Sequence, residues 1–195
     1  ALPPPAEDDP AAPAIRFLRQ RAFAPEAVLA ALRTPDERRQ DWALLVACAR
    51  PRAEYREAIE ALIPYDSEKQ PLHGPGILAA RALGAIGDPG SFALLRETAL
   101  TGNYRQRAEA IRALGKLHLL DPCPVWLEVL SQLPKSIDDW PAACEVMASR
   151  GGEKDLPALE AALRVDLQGS WTTAAASLRT GIAKAIAAIR ARLPE

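Results

Sequence analysis

AARALGAIGDP, residues 79–89, decides how this chain is read, because a variant of it returns downstream as AIRALGKLHLLDP at residues 110–122. The two Arg-Ala-Leu-Gly cores, 81–84 and 112–115, lie 31 residues apart. The Asp-Pro pairs that follow, Asp88-Pro89 and Asp121-Pro122, lie 33 apart. A weaker third copy ends in ASRGGEKD at 148–155, with Asp155 placed 34 residues after Asp121. An apolar helical segment follows each copy, at 92–100, 125–133 and 156–167. A period of this size holding two helices is the mark of a helical repeat array. Two short antiparallel helices cannot cover their own apolar faces, so each pair must stack on the next. Ala79, Ala80, Ala82 and Gly84, and again Ala110, Ala113 and Gly115, let neighbouring helices approach closely. Asp-Pro fixes the turn: Asp caps the next helix and Pro occupies its first position.

Working outward, the periodicity stays helical from Ile15 onward. Val28 and Leu32 share one helical face, residues 36–50 carry Trp42, Leu45 and Val46, and 53–63 carry Tyr55, Ile59 and Ile63. Residues 64–74 (PYDSEKQPLHG) are the longest polar interruption. Residues 1–13 (ALPPPAEDDPAAP) combine proline with acids and bury little, so a flexible arm is expected there. The remainder, 14–195, reads as one domain. The 39 alanines among 195 residues favour helix, and 5% aromatic content argues against a β-rich fold.

Residues 82–89, Ala-Leu-Gly-Ala-Ile-Gly-Asp-Pro, resemble the repeat core of HEAT-like repeats of the phycobilisome-lyase type. Residues 113–122 keep its Ala-Leu-Gly and Asp-Pro ends around a longer middle, and Gln106-Arg107 keeps the arginine of the usual Val-Arg opening. The resemblance is clear over 75–133, fainter over 134–167, and rests on helix spacing alone over 14–63. It implies an all-α fold, an α-solenoid of about five HEAT-like helix pairs in a right-handed superhelical stack. It also implies an orientation, with an inner row of about 36–50, 75–87, 104–119 and 140–150 closed by a long last helix at 171–193.

Charge and cysteine usage bound the function. The formal charge of −1 removes the simplest nucleic-acid reading, and no apolar run is long enough to span a bilayer. The first residues hold neither the basic nor the apolar part of a signal peptide. Cys48, Cys123 and Cys144 are an odd set without CxxC spacing, so reduced thiols and a cytoplasmic location are expected. His73 and His118 lack the neighbouring carboxylates or histidines of a metal site, and no metal or other cofactor is expected. No HExxH, GxSxG or GKS/T motif occurs, so no enzyme is expected.

One asymmetry points to a binding surface. Residues 71–120 hold 6 basic and 3 acidic side chains. Arg81 and Arg112 occupy the same place in successive copies, and Arg105, Arg107, Glu109 and Lys116 flank them. Stacked arginines on a concave face engage carboxylates bidentately, which suggests a protein partner with an acidic segment. They serve equally well as a solvated face. The leading expectation is a non-catalytic protein-binding scaffold or adaptor, able to recognise or antagonise an acidic partner, with Arg81, Arg112, Arg105, Glu109 and Lys116 as candidate contacts. The alternative is an enzyme or enzyme subunit of the HEAT-like class. It would be a chromophore lyase, or an alkylpurine DNA glycosylase for which Asp138-Asp139-Trp140 offers a faint likeness. A third reading is a structural repeat module.

Overall fold

The computed structural model describes residues 11–64, 75–117, 128, 140–164 and 172–193. Residues 1–10 of the expected arm, His73, His118, Asp121-Pro122, Cys123, Trp126, Asp138, Asp139 and Trp171 lie outside them. Among the described residues the chain is all helical, with no strand. The helices are α1 Ala12–Leu18, α2 Pro25–Leu32, α3 Glu37–Ala49, α4 Arg56–Glu60, α5 Gly76–Ile86, α6 Phe92–Thr101, α7 Tyr104–Lys116, α8 Trp140–Arg150, α9 Leu156–Leu163 and α10 Thr172–Arg190. Ala12 and Pro13, expected in the arm, instead open α1, where Ala12 is buried.

Local chemistry sets the helix boundaries. Pro13, Pro25 and Pro157 stand in the first two positions of α1, α2 and α9, where a missing N–H costs nothing. Asp36 caps α3 by accepting from the Arg38 and Arg39 amides at 3.0 and 3.3 Å. Asn103 accepts from the Arg105 and Gln106 amides at 3.0 Å, and Gln106 Oε1 accepts from the Asn103 amide at 3.4 Å, closing a capping box. The Asp-Pro turn forms as its sequence requires. Gly87 ends α5 with φ 73°, a left-handed conformation that L side chains rarely adopt. Asp88 then accepts from the Gly90 amide at 2.7 Å, and Pro89 begins a short 3-10 turn into α6.

Packing runs from neighbour to neighbour. α3 lies on α5, α5 on α7, α7 on α8 and α8 on α10; α1 and α2 lean on α3, α4 on α5, α6 on α7 and α9 on α10. Tyr55, Leu44, Leu83, Leu95, Ile111, Leu114, Trp140 and Met147 fill the seams and are almost wholly buried. Each aliphatic side chain so placed contributes about 1.5–3 kcal/mol relative to an exposed one. Close approach depends on small residues. A Cβ on Gly84 would stand 2.6 Å from Ala113 Cα, and one on Gly115 would stand 2.8 Å from both Val146 methyls. The two equivalent glycines of the repeat thus make two equivalent crossings, α5 over α7 and α7 over α8.

Polar bonds between helices repeat the same step. Arg50 donates to the Arg19 carbonyl, Ser91 to Glu60, Arg81 to Glu109, Arg112 to Glu145, Arg150 to the Gly115 carbonyl and Arg190 to Glu160, over separations of 28 to 35 residues.

Candidate functional site

The five candidate residues sit on α5 and α7, and the structure brings three of them together. Arg81 Nε and Nη2 donate to the two oxygens of Glu109 at 3.1 and 2.9 Å, a bidentate bond between adjacent helices. Arg112 Nη1 donates to the same Glu109 Oε1 at 3.1 Å, and Arg112 Nε donates to Glu145 Oε2 at 2.8 Å. The four side chains form a ladder, Arg81–Glu109–Arg112–Glu145, running over α5, α7 and α8. Exposure is least at Glu109 and rises from there towards Glu145: the side chains are 18%, 12%, 34% and 60% accessible in ladder order. Burial works against the charge on Arg112, but the hydrogen bond to Glu145 and the field of Glu109 outweigh it and raise its pKa.

The arginine ridge read from the sequence is therefore half-spent within the molecule. Arg81 and Arg112 do stack, with Glu109 between them, and two carboxylates balance their charge. Arg105 and Lys116 are exposed on α7, one turn before Glu109 and one turn after Arg112. Glu145 was not singled out in the sequence. Its one signal is a carboxylate 33 residues after Arg112, close to the repeat length. Gln106 was also missed as a structural residue. It is 1% exposed, and its amide donates to the Ile63 carbonyl at 3.4 Å, tying α7 to the end of the α4 segment.

The remaining candidates for chemistry are buried or quiet. Trp140 is 1% exposed, so its indole face is not offered to a ligand. No cluster of three or more His, Cys, Asp or Glu among the described residues could hold a metal ion. A groove of about 620 Å³ between α9 and α10 is floored by Leu163, Ala183 and Ile186, and its rim carries the Arg190–Glu160 ion pair at 2.7 Å. Among the described residues no helix is long and apolar enough to cross a membrane.

Cys48 and Cys144 are buried and are not joined in disulfides. Burial pushes the Cys144 thiol from its ordinary 9.0 up to about 11, and the Glu145 charge acts in the same direction. Thiolate is the reactive form, so Cys144 is inert at neutral pH. We predict no labelling of Cys144 by a disulfide reagent at mildly alkaline pH in the folded protein, and prompt labelling after denaturation. The folded state holds this proton more tightly, so the contribution of Cys144 to stability is present below pH 9.0 and is lost as pH rises towards about 11. Labelling of the native protein as fast as the denatured one would contradict this.

The chemistry available here is recognition by fixed guanidinium and carboxylate groups. Comparison with protein-family models, with curated proteins and with solved structures gave no match.

Proposed function

We propose that this chain is a HEAT-like α-solenoid of right-handed superhelical form, serving as a non-catalytic protein-binding scaffold or adaptor. The observation that carries this reading is the serial packing of α3, α5, α7, α8 and α10, each on its neighbours in the row, with α1, α2, α4, α6 and α9 packed against them. Such a row leaves one face of every inner helix open along the length of the array, which is the form of surface that extended partners occupy. Recognition then rests on side chains held rigid by their neighbours, and the ladder supplies that rigidity on α5, α7 and α8.

The acidic character of the partner stays part of the proposal, with an altered cast. Arg81 is committed to Glu109 and acts as a positioning residue for Arg112. Arg105, Arg112 and Lys116 lie 7 and 4 residues apart on one face of α7, Arg105 and Lys116 exposed and Arg112 half-buried in the ladder. Reduced, buried Cys48 and Cys144 suit a cytoplasmic setting.

The test is affinity purification of the tagged full chain from its source cell, with bound material identified by mass spectrometry. Reversing Arg105→Glu and Lys116→Glu together keeps all four ladder residues, Arg81, Glu109, Arg112 and Glu145, in place. We expect this pair to reduce recovery of the partner about tenfold, as charge reversal at a complementary interface does. Arg164→Glu with Arg179→Glu, at the far end, should leave recovery unchanged. Equal recovery with both pairs, or recovery of nucleic acid instead of protein, would overturn the proposal.

A further inference from the structure

The structure assigns a second docking surface to the end of α1 and its loop, shaped for an acidic, apolar-studded segment of a partner protein. This goes beyond the α7 face and does not depend on it. Two independent features meet there.

The first is uncompensated charge. Through most of the fold, arginine is met by carboxylate: Arg39 by Asp36, Arg52 by Glu54, Arg56 by Glu60 and Asp88, Arg96 by Glu128 and Arg190 by Glu160. Residues 11–25 (AAPAIRFLRQRAFAP) contain three arginines and no acid. Among the described residues no carboxylate pairs with Arg16, Arg19 or Arg21. Arg50 joins them from the end of α3, its guanidinium held at the Arg19 carbonyl by a 2.6 Å bond. Arg16 in the last turn of α1, Arg19 and Arg21 just past it, and Arg50 bonded to the Arg19 carbonyl thus belong to one helix end, where the partial negative charge of the carbonyls tolerates cations.

The second feature is exposed apolar surface. Phe17 and Trp42, 56% and 37% exposed, are the large hydrophobic side chains that the described residues leave in solvent. Both belong to this end. Arg21 lies over the Phe17 ring at 4.8 Å, and Phe23, two residues on, meets Trp42 edge to face at 5.6 Å. The Arg21 guanidinium, held over an aromatic ring, keeps N–H donors that a carboxylate can take up. Rings beside uncompensated arginines match a segment in which acids alternate with apolar side chains.

Charge complementarity selects a protein segment over a nucleic acid. Past Pro25 the exposed surface mixes signs, with Glu26, Asp36 and Glu37 among Arg33, Arg38 and Arg39, and Arg39 is paired with Asp36, so the described surface offers a phosphate backbone no continuous cationic track. A short acidic peptide needs none.

The experiment is a fluorescence-anisotropy titration of the full chain with a labelled peptide of alternating glutamate and leucine. The same peptide with glutamine for glutamate, and a thymidine oligonucleotide of equal length, are the comparisons. We expect the glutamate peptide to bind, the glutamine peptide not to bind, and affinity to fall with salt. Arg16→Gln with Arg21→Gln should weaken binding about tenfold or more, since each removes a charged hydrogen bond. Phe17→Ala should weaken it in the same direction, while Arg164→Gln with Arg179→Gln should leave it unchanged. Equal loss with that remote pair, equal binding of the glutamine peptide, or tighter binding of the oligonucleotide would overturn the assignment. So would peptide binding that emerges only when Glu7, Asp8 and Asp9 are neutralised, which would give the patch to the chain's own acidic residues. Retained α7-dependent capture alongside any of these results would leave the scaffold reading standing.

Discussion

Replacing Gly84 by alanine is expected to cost about 2 kcal/mol of folding stability, although alanine is the better helix former by about 1 kcal/mol. The added methyl would stand 2.6 Å from Ala113 Cα and 2.8 Å from Ala113 Cβ. The first of these is main chain and cannot rotate aside, so α5 and α7 must separate and the seam around Leu83 and Ile111 must loosen. Gly115→Ala should cost less, because its 2.8 Å contacts are Val146 methyl groups that shift with their side chain. Gly181→Ala should be close to neutral, since its nearest atom, Cys144 Sγ, is 3.3 Å away and the propensity gain offsets the crowding. Urea denaturation of the three variants checks the order. A neutral or stabilising Gly84→Ala would mean that α5 and α7 do not cross at this point.

Removing the Glu109 carboxylate, as Glu109→Ala, is expected to cost about 2–3 kcal/mol. It takes the shared acceptor from Arg81 and Arg112, the first of them only 18% exposed, at a seam between two helices. The loss should come mainly from guanidinium groups that give up a buried, charged acceptor. Arg81→Leu combined with Glu109→Leu should therefore be milder than Glu109→Ala alone, and the double-mutant cycle should give clear coupling. The Arg190–Glu160 pair, with Arg190 62% exposed, should show coupling below about 1 kcal/mol and lose it in salt. Equal coupling at both pairs would show that the ladder is ordinary surface pairing.

These two sites also mark how far the sequence carries. These helices are legible because their boundaries depend on neighbours in the chain. The expected spans 36–50, 75–87, 104–119, 140–150 and 171–193 differ by only a few residues from the helices found, and the Asp88-Pro89 turn follows from its two residues. The close crossing at Gly84 was likewise readable from a small residue at a fixed place in the repeat. The ladder was not. Which carboxylate meets Arg81 depends on the axial offset between α5 and α7, and that offset is set by the Gly84–Ala113 contact, outside either helix's own pattern. Equivalent arginines therefore looked outward when Arg81 was already engaged. The exposed ends of the α1 segment escaped for the opposite reason: Phe17 and Phe23 fit a helical apolar pattern, and only the packing leaves Phe17 in water. Gln106 could have been found, since Asn-x-x-Gln before a helix is a capping signal.

Bonds that reach only one neighbour, across 28 to 35 residues, also govern how this molecule fails under load. A closed core shares strain among all its elements and gives way in one event. On the solenoid reading proposed above, a pull on the ends would reach the middle only after the outermost helices had peeled off, so the array would yield stepwise and recoil from a partly unravelled state. Arg192, whose guanidinium donates to the Ala148 and Gly151 carbonyls at the end of α8, is the clasp that the first such step must open.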